Sequence, residues 1–367
     1  MAMVEKLKNI IEDIAIDFLN KTLTSRIDIC SCSMCKNDML AYVLSRVPAK
    51  YVTTEKGALH TIIDQTRIEK EAEIGRAVIT AMEAIGAHPR HKSKEDKNQA
   101  FQILLDKIYE DRGIDFRHYH HELLKRRLSI RMHLNKVSSL SDYLMILLKN
   151  PQEYDKLFEV LCINVSEFFR DPAVWDAARN ILKSVIQQKV ELNAKKMIIW
   201  SAASAYGEEP YSIAIMIKEL LKTGIAKNLE IEIYASDIDP KALRGCEKAD
   251  YGKTVLKNVT PVYLKTYFTP QSASWKVKDE IKKMVTFKSI DLISQDYINN
   301  TDVVFCRNVF IYFTRSLQDQ LLMKFYKSMN VGGYLIIGNT ETMWPEARMI
   351  FEEIDGRARI YRTQHIP

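Results

Sequence analysis

The stretch WSAASAYGEEPYSIAI, from Trp200 to Ile215, decides the fold of this chain. The apolar run KMIIW ends in it and predicts a strand, and PYSIAIMIKELLK leaves it with apolar residues at helical spacing and predicts a helix. Small residues, one glycine and the adjacent carboxylates of Glu208 and Glu209 lie between the two elements. Because α/β folds bind ligands in loops beyond the ends of parallel strands, the stretch predicts a ligand loop.

Strands and helices alternate from this loop towards the C-terminus. The predicted strands read KMIIW, EIEIYASD, MVTFKSID, DVVFCRN and GYLIIGN, and helices are predicted at 210–222, 240–248 and 315–330. This alternation predicts an α/β fold with a doubly wound, mostly parallel sheet covered on both faces. Candidate functional residues fall at the C-terminal ends of the strands, where such sheets bind ligands: Ser201–Glu209, Asp237, Asp291, Arg307 and Asn308.

Before the alternating region the pattern is helical. Residues 100–182 repeat apolar side chains at helical spacing, which predicts a helical domain. The preceding segment GAHPRHKSKEDKNQ is charged and contains Gly and Pro, so we place a linker at 91–99. The chain is therefore predicted to contain an N-terminal helical domain at about 1–90, the linker, the helical domain, and an α/β domain at 183–367 with a polar excursion at about 250–284.

Composition and charge exclude several classes of protein. Of the 367 residues, 47% are hydrophobic and 27% are charged, as in globular proteins. The net charge of +6 is too small to indicate nucleic acid and fits an acidic protein partner. The charged, amphipathic start is neither a signal nor a transit peptide, and no apolar run reaches the ~18 residues of a membrane span. We therefore expect a cytoplasmic protein without membrane insertion.

The loop residues also narrow the choice of ligand. Asp237 ends the second strand about 30 residues after Gly207, where an acid can hold two ribose hydroxyls. The loop is not G-x-G-x-x-G and has no lysine for a phosphate, which argues against NAD and ATP. Glu208 would repel a pyrophosphate but attract an ammonium or a sulfonium. S-adenosylmethionine has the ribose, base and cationic tail that this pattern predicts, and the alternative is a tight turn whose acids only cap the helix.

Four motifs resemble the CheR family of chemotaxis receptor methyltransferases: INVSEFFRDP at 163–172, WSAASAYGEEPYS at 200–212, ASDID at 235–239 and FCRNVFIYF at 305–313. The resemblance covers about 98–367 and implies an S-adenosylmethionine-dependent methyltransferase fold with a helical cap domain and a small β-subdomain at 250–284. It also implies methyl transfer to glutamate side chains in the cytoplasmic domain of chemoreceptors, with glutamate methyl esters and S-adenosylhomocysteine as products. The N/D-P-P-aromatic run common in nucleic-acid methyltransferases is not found where this chain reads RNVFIY.

The resemblance assigns roles to particular residues. Arg170 and Tyr312 are implied to be catalytic residues that hold and orient the substrate carboxylate; an ion pair and core packing are the alternatives for them. The residues implied to bind the cofactor come from the cap, the ligand loop and the strand ends: Asn164, Ser166, Arg170, Ala203, Glu208, Asp237, Asp291, Leu292 and Asn308.

The chain departs from the family pattern at two places. Ala205-Tyr206-Gly207 stands where the family usually has Ser-Thr-Gly, and Asp291 stands where Asn is common. A large phenol in the cofactor loop could close the pocket. The alternative function is therefore a catalytically weak signalling scaffold that binds the cofactor or a second messenger.

The predicted helix HELLKRRLSIRMHL carries arginines within an apolar stripe. At about 100° per residue, Arg127 and Arg131 fall on the face of Leu124 and Leu128, and Arg126 falls outside it. Two explanations stay open: pairing with acids inside the protein, or a basic surface for the acidic methylation helix of a receptor. The family resemblance favours the second, so Arg127 and Arg131 are predicted to bind substrate.

Residues 1–90 resemble the ComFB family, a small helical and often dimeric domain, through CSCSMCKNDMLAYVLSRVPAKYVTTEKG at 30–57. The thiols of Cys30, Cys32 and Cys35 predict a zinc site, and reduced thiols packed at a helix start are the alternative. A fourth ligand would come from a second subunit or from one of these residues: Asp28, His60 and His88. The resemblance also implies a homodimer through this domain.

Some ComFB members are implicated as receptors for cyclic di-GMP. In this chain Arg46 and Lys50 could meet phosphates and Tyr51 could stack on guanine. These residues therefore predict a second-messenger site that regulates methylation, and the alternative is a surface lysine with a core tyrosine.

Overall fold

The computed structural model describes residues 8–24, 26, 29–54, 67–87, 94–162, 164–226 and 228–365. The chain divides into two compact units, Met1–Phe101 and Gln102–Pro367. None of the helices in the described ranges is long and apolar enough to cross a membrane.

The first unit is helical in its described residues, as predicted. Its elements are β1 (Lys8–Asn9), α1 (Ile10–Thr24), α2 (Ser33–Leu44), β2 (Tyr51–Val52) and α3 (Arg67–Ala87). Strands β1 and β2 pair in antiparallel sense. The three helices turn one apolar face each towards a shared core that includes Ile11, Ala15, Leu19, Cys35, Met39, Val43, Ile74, Val78 and Met82.

A helical region precedes the sheet of the second unit. Its helices are α4 (Lys94–Arg112), whose first residues up to Phe101 belong to the first unit, α5 (His121–Leu134), α6 (Leu140–Lys149), α7 (Gln152–Leu161) and α8 (Pro172–Glu191). Glu153 is buried and accepts hydrogen bonds from Arg131 at 2.7 Å, from Asn135 at 2.8 Å and from Tyr143 at 3.0 Å. The structure therefore corrects the substrate-binding prediction for Arg131, because its guanidinium is already used in an internal ion pair.

The remaining elements alternate as the sequence predicts. In chain order they are β3 (Lys196–Ala202), α9 (Glu208–Leu221), β4 (Glu230–Asp237), α10 (Pro240–Lys248), β5 (Asp250–Gly252), α11 (Pro261–Tyr267), β6 (Phe268–Pro270), β7 (Ser274–Val277), α12 (Asp279–Lys282), β8 (Val285–Ser289), β9 (Thr301–Cys306), α13 (Arg315–Ser328), β10 (Met329–Ile337), β11 (Phe351–Asp355) and β12 (Ile360–Thr363). Short 3-10 turns lie at Lys253–Leu256, Phe310–Tyr312 and Ala347–Met349.

The described part of the second unit contains a seven-stranded sheet of order β11-β12-β10-β9-β3-β4-β8. Neighbours from β10 to β8 are parallel, and β12 runs antiparallel to both β10 and β11. The predicted doubly wound, mostly parallel sheet is confirmed. The antiparallel strands β11 and β12 were not predicted. Strands β5, β7 and β6 form a separate small antiparallel sheet within the predicted polar excursion.

Helices cover both faces of the large sheet. Side chains alternate along β3, so Met197 and Ile199 join the core beneath α8 and α9, whereas Trp200 joins the core beneath α13. Because β3, β4, β8, β9 and β10 are parallel, their C-terminal ends share one edge of the sheet. The loops that follow these strands therefore gather at that edge.

Candidate active site

The ligand loop joins β3 to α9. Ala203, Ala205 and Gly207 adopt left-handed φ angles of 57°, 48° and 94°. For alanine this conformation costs about 1–3 kcal/mol, so other contacts must hold it. The N–H of Ala205 donates to a carboxylate oxygen of Asp237 at 2.8 Å. Asp237, at the end of strand β4, thus holds the loop in its strained conformation. Strained backbone conformations of this kind cluster at ligand sites.

The loop borders a cleft at the edge of the sheet. The cleft has about 870 Å³ of empty space, including the part open to solvent. Among the predicted residues, those that line it are Asn164, Ser166, Arg170, Ala203, Asp237, Asn308 and Tyr312. Asp291 and Leu292 line a smaller cavity that shares Ala203 and Asp237 with the cleft. The structure therefore brings these strand ends and the cap together.

Asp237 ends β4 with a buried carboxylate. One oxygen accepts the N–H of Ala205 at 2.8 Å, and the other accepts the N–H of Asp239 at 2.9 Å. Burial raises the pKa of Asp237 to about 6, and these backbone donors oppose the rise. Each carboxylate oxygen has a second lone pair. The group can therefore accept hydrogen bonds from two hydroxyls of a ligand in the cleft.

The two carboxylates at the start of α9 have different surroundings. Glu208 is only 3% exposed, and burial raises its pKa to about 7 against the effect of the Ser166 hydroxyl. Within the described part of the chain, no donor lies within hydrogen-bond distance of its Oε2. Glu209 instead accepts a hydrogen bond from Ser201 at 2.8 Å and lies 3.5 Å from a guanidinium nitrogen of Arg307. A cationic group of a ligand would offset the cost of burying Glu208.

Residues 164–171, the cap segment, are attached to the α/β domain by hydrogen bonds. The amide of Asn164 donates to Asp239 at 2.6 Å, and the N–H of Phe169 donates to the hydroxyl of Ser212 at 3.0 Å. Asn164 therefore fixes the cap segment to the start of α10 as well as lining the cleft. Ser166 lies between these two attachments.

Arg170 and Tyr312 line the cleft, and the positive charge of Arg127 also influences the pKa of the Tyr312 phenol. Burial raises the pKa of Tyr312, and the positive charges of Arg127 and Arg170 oppose the rise. Arg170 donates to the carbonyl of Val165 and Arg127 to that of Val160, both at 3.0 Å, and each guanidinium has further donors. None of the ion pairs found among the described residues involves Arg170, whereas Asp171 and Glu209 pair with Arg307. This set can hold a carboxylate.

The loop after β8 carries Asp291 and Leu292. The Asp291 carboxylate accepts the N–H of Ile293 at 2.9 Å and the hydroxyl of Ser294 at 2.6 Å, so it braces its own loop. Lys324 of α13 donates to the carbonyls of Leu292 and Ile293 at 2.9 and 3.1 Å. Sequence reasoning missed Lys324, because a lysine in an amphipathic helix carries no signal of this contact.

Tyr206 does not line the cleft. Its ring packs over Gly245 of α10, where a Cβ would lie 2.7 Å from Cδ1 of the tyrosine. Its carbonyl accepts the hydroxyl of Tyr251 at 2.7 Å, and its side chain borders a separate groove beside Lys241. The expectation that this phenol closes the pocket is therefore corrected, since the glycine on α10 makes room for the ring outside the cleft.

Aromatic residues of the helical region form a wall that sequence reasoning missed. Phe116 and Tyr119 both line the cleft. The ring of Tyr119 meets that of Phe313 edge to face at 4.9 Å, and the two backbones pair through an isolated antiparallel bridge. Aromatic residues beside helices usually indicate a core, so the pattern alone could not identify this wall.

The cysteine cluster of the first unit has a compact donor set. The sulfur atoms of Cys30, Cys32 and Cys35 all lie within 4.8 Å of one another. The backbone N–H of Cys35 lowers the pKa of the exposed Cys32 to about 7, whereas burial raises the pKa of Cys35. The candidates named for a fourth ligand lie outside the described residues: Asp28, His60 and His88.

The residues predicted to meet a second messenger lie on the surface of the first unit. Arg46 places its guanidinium carbon 3.5 Å from the ring centroid of Tyr42. Lys50 is joined to Asn9 through its backbone, and the neighbouring Tyr51 is 61% exposed in β2. Tyr51 is therefore not a core residue, which corrects the alternative considered for it.

Family models match three parts of the chain. Residues 164–360 match "CheR methyltransferase, SAM binding domain" and residues 99–162 match "CheR methyltransferase, all-alpha domain". Residues 8–89 match "Late competence development protein ComFB".

Curated relatives are similar to this chain over most of its length. A chemotaxis protein methyltransferase of Listeria monocytogenes is 30% identical over 64% of this chain and 86% of its own length. Chemotaxis protein methyltransferase 2 of Pseudomonas aeruginosa is 30% identical over 71% of this chain and 91% of its own length. The chemotaxis protein methyltransferase of Escherichia coli is 29% identical over 66% of this chain and 83% of its own length.

Proposed function

The chain belongs to the CheR methyltransferase family, with a ComFB domain before it, and on this premise we propose that it methylates glutamate side chains of chemoreceptors. The donor is S-adenosylmethionine, the products are glutamate methyl esters and S-adenosylhomocysteine, and the substrate is the cytoplasmic domain of a receptor. The observation that carries the proposal is the convergence of Asp237, Arg170 and Tyr312 on one cleft.

The residues of the cleft fit S-adenosylmethionine. Asp237 has free lone pairs for the ribose hydroxyls. Glu208 is not among the residues that line the cleft, but it interacts with Ser166 of the lining, and its unsatisfied Oε2 suits the cationic amino acid end. Asp291 and Leu292 border the smaller cavity, where a base would lie against the wall of Tyr119. When bound, this group supplies a methyl on a positively charged sulfur, which is already a good leaving group.

The remaining chemistry requires no general base from the protein. A glutamate carboxylate has a pKa near 4.3, so it is already a nucleophile at neutral pH and needs no general base. Arg170 and Tyr312 hold this carboxylate and aim one oxygen, and Arg127 adds positive charge. A phenol with the ordinary pKa of about 10 is protonated at neutral pH, and burial raises the pKa of Tyr312 further, so its hydroxyl can donate a hydrogen bond. Alignment and exclusion of water then account for the rate.

The test uses a purified receptor cytoplasmic fragment and radiolabelled S-adenosylmethionine. Wild type is expected to transfer label that alkali releases as methanol, which identifies an ester. Asp237→Asn should lose affinity for S-adenosylhomocysteine in calorimetric titration, whereas Tyr312→Phe should keep that affinity and lose transfer. Label that resists alkali would exclude a glutamate ester. Binding without transfer in the wild type would support the scaffold alternative.

We propose separately that the first unit binds cyclic di-GMP and so regulates methylation. The exposed ring of Tyr51 beside Lys50 is the observation that favours it, because stacking on guanine needs an accessible aromatic face. Titration of the full-length chain with cyclic di-GMP should show binding that Tyr51→Ala abolishes and that Tyr109→Ala, a change of a partly exposed tyrosine in the second unit, retains. No detectable binding in the wild type would remove the proposal.

We propose zinc at Cys30, Cys32 and Cys35, because three clustered thiols match the softness that zinc prefers. A fourth donor would come from residues of this chain or from a second subunit in a homodimer. Metal analysis of the purified chain should find zinc that is lost in Cys32→Ser and retained in Cys162→Ser. A wild type free of metal after zinc loading would contradict the site.

A further inference from the structure

A buried acid from another loop holds the turn that carries Asn308 and Tyr312. Glu341 is 3% exposed. Its Oε2 accepts the N–H groups of Asn308 at 3.0 Å and of Gly338 at 2.5 Å, and its Oε1 accepts the N–H of Ile311 at 3.4 Å. One carboxylate therefore collects backbone donors from the turn and from its own loop.

An amide holds the opposite side of the same turn. Nε2 of Gln318, in α13, donates to the carbonyls of Phe310 at 2.8 Å and of Phe313 at 3.0 Å. Oε1 of Gln318 accepts the indole N–H of Trp344 at 2.9 Å, which fixes the orientation of the amide. The carboxylate of Glu341 thus holds N–H groups of the turn, and the amide of Gln318 holds carbonyl groups of the same turn.

The conformation of the turn requires such support. Asn308 has a left-handed φ of 60°, which residues other than glycine rarely adopt. A Cβ at position 338 would lie 2.8 Å from both the backbone nitrogen of Asn308 and Oε2 of Glu341. The absence of a side chain at Gly338 therefore lets the two loops approach each other. Asn308 and Tyr312 line the cleft, whereas Glu341 and Gln318 contact the turn and are not among the lining residues.

We infer that Glu341 and Gln318 are positioning residues for methyl transfer, which hold the turn so that Tyr312 and Asn308 face the cleft. The inference rests on the proposed function, where Tyr312 holds the substrate carboxylate. Glu341→Gln keeps the size of the side chain but replaces one acceptor by an N–H donor that meets backbone donors. A displacement of about 1 Å at the reacting groups costs about 100-fold in rate. Asp237 and Glu208 lie on other elements, whereas Asn308 lies on the turn, so cofactor affinity should fall much less than the rate.

The experiment compares full-length wild type with Glu341→Gln and Gln318→Met at a temperature where circular dichroism finds each protein folded. The readouts are kcat, KM for the receptor fragment and calorimetric affinity for S-adenosylhomocysteine. We expect kcat to fall by about tenfold or more, with smaller changes in KM and in cofactor affinity. Asp302→Asn is the matched control, because Asp302 is also buried and accepts a backbone N–H at 2.9 Å, but at the start of β9.

Each outcome decides the inference. A loss of kcat in both test variants, with a control that loses stability but keeps kcat, supports positioning. If Glu341→Gln fails to fold, Gln318→Met decides alone by the same readouts. Unchanged kcat in the folded variants, or an equal loss in Asp302→Asn, would overturn the inference and leave the proposed function standing. A wild type without methyl transfer would remove both.

Discussion

Replacing Glu208 by glutamine should stabilise the free protein while weakening its affinity for the cofactor. The Glu208 carboxylate is 3% exposed, and burial raises its pKa from 4.5 to about 7. Its charged form is therefore costly in the protein without a ligand. Glutamine has nearly the same size and no charge, so Glu208→Gln removes the cost with little change in packing.

The size of the effect follows from the pKa. One pKa unit corresponds to about 1.4 kcal/mol, so the shift of Glu208 is worth about 3 kcal/mol at most. The sign follows from proton linkage: the folded state holds the proton more tightly than the unfolded state, so stability falls as pH rises from about 4.5 to about 7. Near pH 5 most of this cost is absent, and near pH 8 it is fully present.

Urea unfolding of wild type and Glu208→Gln at both pH values measures the cost. The variant should gain up to about 3 kcal/mol over wild type near pH 8 and much less near pH 5. Asp237, whose pKa is about 6, titrates in both proteins, so only the difference between them is interpreted. Glu122→Gln is the matched control, because Glu122 also lies in the first turn of a helix but its side chain is 90% exposed.

The ionisation of Glu208 should also make the affinity for S-adenosylhomocysteine depend on pH. S-adenosylhomocysteine has a cationic amino group, which favours the ionised form of Glu208. Its affinity for wild type should therefore rise between pH 6 and pH 8 more steeply than its affinity for Glu208→Gln. If the difference in unfolding free energy is the same at both pH values, the Glu208 carboxylate is hydrated and the reasoning is refuted.

Two further predictions concern residues that the structure reassigned. Tyr206→Thr should leave the calorimetric affinity for S-adenosylhomocysteine unchanged, because the ring packs over Gly245; a large gain in affinity would place the ring in the cleft. Arg131→Met should lower the free energy of unfolding by about 3–5 kcal/mol in urea, because it leaves the Glu153 carboxylate buried without its cation, while Arg126→Met serves as the exposed control. A raised KM for the receptor with unchanged stability would return Arg131 to the substrate surface.

The strands of the sheet could be predicted where a short stretch of sequence is by itself typical of a strand. KMIIW and EIEIYASD are rich in β-branched residues and are followed by Gly or Pro signals, so the strands and the edge at which they end could be inferred together. FEEID and IYRT do not alternate regularly between apolar and polar residues. Strand β11 pairs with β12, and β12 joins the large sheet by pairing with β10, which lies further back in the chain. Non-local pairing of this kind has no signature in a short window of sequence.

The site was predictable in its strand ends but not in its side-chain partners. Asp237 and Asn308 follow strands, and parallel topology alone brings strand ends to one edge. The partner of Arg131 is Glu153, on a different helix 22 residues away, and periodicity cannot choose between that acid and a receptor. The same limit applies to Glu341, whose three backbone donors come from two loops. Side-chain orientation is a property of packing, which the pattern does not encode.

The adjacent acids of GEEPYS decide between a structural turn and a ligand loop. Acids at the start of a helix are stabilised when they meet its free N–H groups near solvent. Glu209 has protein partners in Ser201 and Arg307, so the structural explanation suffices for it. Glu208 is buried, its pKa is raised to about 7, and one of its oxygens meets no donor among the described residues. A capping role would be better filled there by a neutral side chain, which is the reason for proposing that Glu208 meets a cationic group of the ligand.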